Sequence, residues 1–285
     1  MSFNRLYTRG WEDYELIDAG GGKKLERWGS IITIRPEVQA YFKSEKTFQQ
    51  WIEIANWEFI STGTKTGKWK CLKSGSPSEW VINYQMLRFS LKLTNNKHIG
   101  LFPEQRINWD YILNNLNKTD TFLNLFAYTG ASSLFAKNIC NTVFHVDSVR
   151  KMLAWAKKNM TINDFSDIRW VHEDALKFIS REMNREKRYD GVIMDPPVWG
   201  IGPKKEKWKL ENELEELIFK VSKVIKSNGF LIVNTYSPKI DCLKLKVFAE
   251  KHFRKSRIEV FELWMKTSTG KDLFYGNLLR VGGLN

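Results

Sequence analysis

The sequence predicts an α/β fold, a Rossmann-like, mainly parallel sheet of seven strands preceded by a smaller β-rich domain. Three observations predict it. From residue 121 onward, short β-branched or aromatic runs alternate with helical patterns, the signature of a parallel sheet flanked by helices. Those runs are apolar at nearly every position, as strands covered on both faces are. The first hundred residues have another texture, interrupted by glycine and proline and holding six of the twelve tryptophans.

Taken in order, YELIDAGGGKKLERWGSIITIRP (14–36) gives strand pieces broken at GGG and ended by a proline, and WEFISTGTKTGKWKCL (57–72) gives two strands around a Gly and Thr turn. Trp11, Trp28, Trp51, Trp57, Trp69 and Trp80 supply this region with an aromatic core of its own. The junction lies near KHIGLFPEQR, which sets a β-rich domain over 1–98 and a sheet domain over 99–285. Strands follow at 121–128, 141–147, 167–174, 189–195 and 230–237, separated by the helical stretches ASSLFAKNI, VRKMLAWAKKNM, ALKFISREMNR and ENELEELIFKVSKVIKS. LKLKVFAEKHF reads as a further helix, and RIEVFELWMK and FYGNLLRVGG as two last strands joined by STGKD.

With 285 residues and 42% hydrophobic content the chain can bury a large core. Its longest apolar runs fall short of the roughly 18 to 20 residues a membrane span needs. The polar start MSFNRLYTRG has no apolar segment of a secretory signal, so a cytoplasmic protein with no membrane partner is expected. Cys71, Cys140 and Cys242 are far apart and without metal-ligand spacing, which predicts reduced thiols and no metal. The net charge of +13 favours polyanionic partners such as RNA. Genome composition can also make a chain rich in lysine and asparagine.

In an open parallel sheet the ligand sits beyond the carboxyl ends of the strands. The first of these ends is NLFAYTGA, with Gly130 alone in place of the three glycines of GxGxxG; a dinucleotide pyrophosphate would lack its close backbone approach. The second end is Asp147, seventeen positions later, where a carboxylate can accept two ribose hydroxyls. The third is HEDA, with Asp174 placed to accept from an adenine amine. The fourth is DPP, where two proline rings hold Asp195 at the strand's end. Any one of these acids alone could be a helix cap or turn former. Their order and register together suit a nucleoside without phosphates, S-adenosylmethionine.

NLFAYTGASSLFAKN, FHVDSVRKMLAWAKKN, HEDALKFISRE and YDGVIMDPPVWGIG resemble the class I S-adenosylmethionine-dependent methyltransferases, especially the large-subunit ribosomal-RNA methyltransferases and their uncharacterised relatives. The likeness extends to YELIDAGGGKKLERWGSIITIRPEVQAYF and HIGLFPEQRINWD. It implies the seven-stranded class I sheet with a substrate-binding front domain. It also implies that Asn124, Phe126, Tyr128, Thr129 and Gly130 line the methionine and ribose side of the cofactor, Asp147 takes the ribose, and Asp174 with Ala175 the adenine. Phe102, Gln105 and Arg106 would cover the cofactor, and Asp195, Pro196, Pro197 and Trp199 would face the reacting group.

Methyl transfer is an in-line displacement that needs positioning more than acid or base. The Asp195 side chain and Pro196 carbonyl can accept from an exocyclic amine while Trp199 stacks on a base. Amine methyltransferases of the NPPY type, however, put the aromatic directly after the second proline, where this chain has Val198. Relatives that methylate cytosine carbon 5 use a cysteine after the fifth strand; here Tyr236 holds that place, which predicts no covalent route. Cys242 reads as a buried apolar residue. A guanine ring nitrogen or a ribose hydroxyl remains open as the acceptor. Lys204, Lys205, Lys207 and Lys209 between Trp199 and Trp208 suit phosphates and a splayed base, or form a solvated loop. The function expected is methylation of a ribosomal-RNA base; the alternatives are a protein or small-molecule acceptor, or a non-catalytic RNA-binding protein on the same fold.

Overall fold

The computed structural model describes residues 3–63, 66–202 and 207–282. In chain order, β1 (Asn4–Thr8) precedes β2 (Tyr14–Gly20), β3 (Lys23–Trp28), β4 (Ile31–Pro36), α1 (Phe48–Ile54), β5 (Trp57–Ser61) and β6 (Gly67–Cys71). A hairpin of β7 (Glu79–Tyr84) and β8 (Leu87–Lys92) follows. Next come α2 (Arg106–Asn115), β9 (Thr121–Leu125), α3 (Ala131–Ile139), β10 (Thr142–Asp147), α4 (Arg150–Thr161), β11 (Ile168–His172), α5 (Ala175–Asn184) and β12 (Tyr189–Met194). The short strands β13 (Trp199–Ile201) and β14 (Lys207–Lys209) lead into α6 (Leu210–Ser222), β15 (Ile225–Thr235), α7 (Cys242–His252), β16 (Arg257–Lys266) and β17 (Asp272–Gly282).

Two compact units divide these elements, one of Met1–Leu6, Arg106–Leu263 and Tyr275–Asn285, the other of Tyr7–Gln105 and Trp264–Phe274. The division therefore falls after Gln105 and not at 98/99. Buried Ile99 and Leu101 hold the junction to the front unit, as do the bonds from Lys92 N–H to the Ile99 carbonyl (3.1 Å) and from the Thr8 hydroxyl to the Glu104 carbonyl (3.2 Å). Residues 264–274 join that unit because the Ser268 N–H donates to the Leu16 carbonyl (2.8 Å) and the Thr269 hydroxyl to Asp18 (2.8 Å).

The front unit is a five-stranded sheet in the order β2-β3-β4-β5-β6 with the β7-β8 hairpin. Pairing is antiparallel except between β4 and β5, which α1 connects. Thr47 and Gln50 close a reciprocal capping box at the start of α1. Trp51 from that helix packs with Leu25, Ile34 and Ala55 and donates its indole N–H to Asp18 at 3.1 Å. Of the six tryptophans expected to build this core, Trp11, Trp28 and Trp51 are buried, while Trp57, Trp69 and Trp80 are half-exposed.

The large sheet runs β1-β16-β17-β15-β12-β9-β10-β11. β15, β12, β9, β10 and β11 are parallel, and β17 enters antiparallel beside β15. The seven strands read from the sequence are all present, and β1 adds an eighth at the edge. α2, α3 and α4 pack in sequence, as do α5, α6 and α7. The buried layer between helices and sheet is drawn from the apolar runs, among them Leu123, Val192, Leu231, Ile218 and Phe178. One helix is shorter than expected: the tail of 211–227 leaves α6 at Ser222, and Ile225 starts β15 against Tyr189. That parallel pairing satisfies backbone groups that a continued helix would have kept to itself.

The strand order fixes where a ligand can go. From β9 the chain moves outward to β10 and β11, then returns to the other side of β9 as β12. The carboxyl ends of β9 and β12 thus flank the crevice where the winding reverses, the position at which open α/β sheets bind ligands.

Candidate active site

The loop after β9 is wound tightly. Phe126, Tyr128 and Gly130 all have positive φ (55°, 51° and 91°). Two of these are non-glycine residues in a region that L side chains seldom adopt. What holds them is Asp147 at the end of β10. One of its carboxylate oxygens accepts the Tyr128 N–H and the other the Val149 N–H, each at 2.8 Å. The Ala127 N–H also donates to the Val146 carbonyl at 3.1 Å. Gly130 starts α3 where an added Cβ would stand 3.1 Å from the Ala156 Cβ, so this turn needs glycine for both conformation and space.

Beneath the loop lies a buried polar chain. Asn124 donates its side-chain amide to Ser133 at 3.0 Å, and Ser133 Oγ lies 3.0 Å from His145 Nδ1. All three are buried, and burial drives the His145 pKa down to about 3, so the ring is neutral at physiological pH. Thr129, also buried, offers its carbonyl to the Asn159 amide at 3.0 Å. Asn124 and Thr129 therefore support the loop from within, whereas the expectation had them lining the cofactor with the rest.

A pocket of ≈ 250 Å³ opens over the strand ends, lined by Phe126, Asp147, Asp174, Ala175, Pro197 and Trp199 among others. Asp147 is nine-tenths buried; burial raises its carboxyl pKa above the ordinary 3.8, and the Val149 and Tyr128 N–H groups pull it back. Each oxygen takes one backbone donor, leaving acceptor capacity on both for a diol. Asp174 is the N-cap of α5, accepting from the Lys177 N–H at 3.1 Å, and it lines the pocket as well. The helix cap and a pocket-lining acid are one residue.

The segment after β12 closes the pocket's other side. Asp195 is half-buried, Pro196 is buried, and Pro197 is exposed. β13 then pairs antiparallel with β14, Trp199 opposite Lys209. Trp199 is 49% exposed at the pocket's rim, while Trp208 is buried, its indole N–H donating to the Pro197 carbonyl at 2.6 Å and its ring 5.0 Å from that of Phe126. Lys204 and Lys205 lie outside the described residues; Lys207 and Lys209 are exposed. Ser148, Val149, Glu173 and Ile201 also line the pocket and are not marked by the sequence pattern, and Trp208, marked there only as a boundary of the basic loop, lines it too. The first three directly follow a strand end already singled out, a position that could have flagged them.

Phe102 and Gln105 belong to the front unit, where the Gln105 N–H donates to the Phe102 carbonyl at 3.1 Å. Arg106 opens α2 and pairs with Asp110 at 3.4 Å. Cys242 takes the buried position expected of it from the sequence. It donates its thiol to Asn277 Oδ1 at 3.2 Å and is pushed up to about 12 by burial, with Glu262 and Asp241 adding to the effect.

A two-acceptor carboxylate, a second acid beside it and an apolar floor fit a nucleoside with a free diol. They do not offer the glycine cradle that phosphates need. Comparison with known proteins agrees. Over 185 residues the chain is 24% identical to the ribosomal RNA large subunit methyltransferase K/L of Buchnera aphidicola subsp. Schizaphis graminum, which covers 62% of this chain but 26% of that protein. The chain thus spans about a quarter of that curated relative's length. The crystal structure of a SAM-dependent methyltransferase from Agrobacterium tumefaciens superposes with a TM-score of 0.92 at 29% identity, covering 98% of this chain and 93% of that one. A methyltransferase solved in complex with SAH shares the fold (TM-score 0.74, 19% identity, 92% of this chain and 72% of that one). The family model for S-adenosylmethionine-dependent methyltransferases matches residues 64–252, well over half of the chain. With the pocket at its switch point, this chain belongs to the S-adenosylmethionine-dependent methyltransferase family.

Proposed function

We propose that this methyltransferase modifies a base in structured RNA, foremost ribosomal RNA, in the cytoplasm and without a cysteine nucleophile. The observation that carries the reading is the β13-β14 hairpin. It sets a half-exposed indole, Trp199, at the rim of the nucleoside pocket and pairs it with a strand bearing exposed Lys207 and Lys209. An aromatic face flanked by cations suits a base lifted out of its stack with its phosphates held nearby. The +13 net charge and the printed function of the Buchnera relative support the same substrate class.

S-adenosylmethionine, when bound, supplies a methyl group on a positively charged sulfonium. Asp147 would hold the ribose hydroxyls, and Asp174 and Ala175 the adenine edge. Phe126, Tyr128 and Gly130 would face the methionine and ribose, with Asn124 and Thr129 bracing their loop. Arg106, at the start of α2, would cover the cofactor. The Asp195 carboxylate and Pro196 carbonyl accept hydrogens from the target base and fix its orientation, while Pro197 and Trp199 limit where its ring can lie. The β-rich front unit adds RNA contacts of its own.

Ribosomal RNA from a strain lacking this gene, incubated with the enzyme and a labelled methyl donor, should gain one modification, which mass spectrometry of nuclease fragments locates. A protein that binds the cofactor yet transfers no methyl to this RNA would point to a protein or small-molecule acceptor.

A further inference from the structure

At the edge of the large sheet opposite the pocket, a groove of ≈ 620 Å³ opens where β15 begins and α7 ends. The described residues that line it include Lys223, Lys226, Lys251, Arg254 and Lys255, and no carboxylate. Apolar groups such as Phe219 and Phe253 line it as well, with the His252 ring 5.3 Å from that of Phe219.

Helix electrostatics explains some of these cations. Lys251 and His252 occupy the last turn of α7 and Lys223 caps α6, where positive charge complements the terminal carbonyls. Arg254 and Lys255 lie beyond α7 and have no such role. Lys226 is paired with Asp190 at 2.8 Å and Lys251 with Glu215 at 2.6 Å, whereas Lys223, Arg254 and Lys255 form no ion pair among the described residues. Three exposed cations without an ion pair among the described residues, one at the end of α6 and two just after α7, line the same hollow and favour an anion there.

We propose that this groove binds the phosphodiester backbone of the RNA substrate, at a distance from the base being methylated. The proposal rests on the RNA reading above. β12 and β15 run parallel with Tyr189 opposite Ile225 and Met194 opposite Val233, so a whole strand separates the groove from the pocket. That is about 17 Å, or about five nucleotides of stacked strand. A short oligonucleotide occupying the pocket cannot reach the groove; a folded RNA can.

The test replaces Lys223, Arg254 and Lys255 together by glutamine and measures binding of a ribosomal-RNA hairpin by fluorescence anisotropy between 50 and 200 mM salt, roughly the range over which phosphate contacts are weighed. The expected result is a salt slope reduced by about two to three, affinity at least about tenfold weaker and a raised KM, with kcat and the calorimetric Kd for S-adenosylmethionine unchanged. The unchanged cofactor affinity certifies the fold. Wild-type affinity and slope in the variant would overturn the proposal, as would polyglutamate of matched charge displacing RNA as well as RNA displaces itself, the mark of a site for an acidic protein. If the wild type binds the hairpin through these residues but methylates no RNA, the groove stands and the substrate assignment falls. If the variant binds and methylates RNA like the wild type, the reverse holds.

Discussion

The indole N–H of Trp208 donates to the carbonyl of Pro197 at 2.6 Å, and the same ring packs against Phe126 at 5.0 Å. One side chain thereby ties the segment after β12 to the loop after β9, the two elements that flank the switch point. Trp208→Phe keeps most of the packing and deletes the donor. A neutral hydrogen bond of this kind contributes about 0.5 to 1.5 kcal/mol, so kcat should fall by a factor of about 2 to 12 while cofactor affinity holds. Steady-state kinetics beside calorimetry distinguishes this from a packing role, in which Trp208→Phe would behave as the wild type and only Trp208→Ala would lose activity.

Asp147 braces the loop and, in the proposed reading, also receives the ribose. Asp147→Ala should weaken S-adenosylmethionine binding by about 10- to 150-fold, the range for a hydrogen bond to a charged group. A pH signature follows from its raised pKa. A carboxyl that holds its proton more tightly when folded contributes stability that is fullest below the ordinary 3.8 and is lost as pH climbs through the folded value. Cofactor affinity should run the other way, rising across that window as the second acceptor oxygen is freed. Titrating affinity from pH 4 upward in wild type and in Asp147→Asn checks this; equal profiles would exclude Asp147 from the ribose site.

Gly130→Ala places a Cβ 3.1 Å from Ala156 at a φ of 91°. The left-handed conformation alone costs about 1 to 2 kcal/mol. Thermal unfolding should shift down by several degrees, and the loop should lose affinity for the cofactor. Unaltered melting and binding would mean that the loop rewinds without penalty.

Much of this site is legible from the chain, and the reason is local. Asp147, Asp174 and Asp195 follow predictable strands by zero to two residues, and strand ends in a parallel sheet converge on one edge whatever the loops do. Asn124 shows where that logic stops. It sits within β9, where alternate residues face opposite sides, and only its partners Ser133 and His145, at 3.0 Å steps on α3 and β10, decide that it serves the interior. Trp208 was hidden for a similar reason. Its bond to Pro197 spans eleven residues of a loop whose sequence announces charge and not a hairpin. The grouping of 264–274 with the front unit depends on hydrogen bonds some 250 residues apart in sequence, which no local pattern encodes.

His145 gives the fold an acid sensitivity. Its pKa is about 3 in the folded chain against an ordinary 6.5. Between those values the unfolded chain binds a proton that the native chain refuses, so stability falls as pH drops below 6.5, by about 1.4 kcal/mol per pH unit for this group. His98, also held to about 3 by burial, adds a second proton to the same slope. Urea unfolding at pH 5, 6 and 7 should show His145→Gln less stable than wild type at pH 7 yet less sensitive to acid. A slope unchanged by that substitution would place the linked proton elsewhere.

Where the chemistry resides can be decided by setting two residues against each other. Cys242 has its thiol buried against Asn277 and pushed up to about 12, so at neutral pH it is not the thiolate that an addition to a pyrimidine requires. Asp195 directly follows β12, two residues before Pro197, which lines the pocket. Cys242→Ala should therefore retain the wild-type kcat, and RNA carrying 5-fluorocytosine should form no covalent adduct with the enzyme. Asp195→Ala should keep cofactor affinity within about threefold and lower kcat by about a hundredfold, the scale on which loss of an orienting acceptor is felt. A fluorocytosine adduct that disappears in Cys242→Ala would replace direct transfer by a covalent route and would return the thiol to the reacting centre.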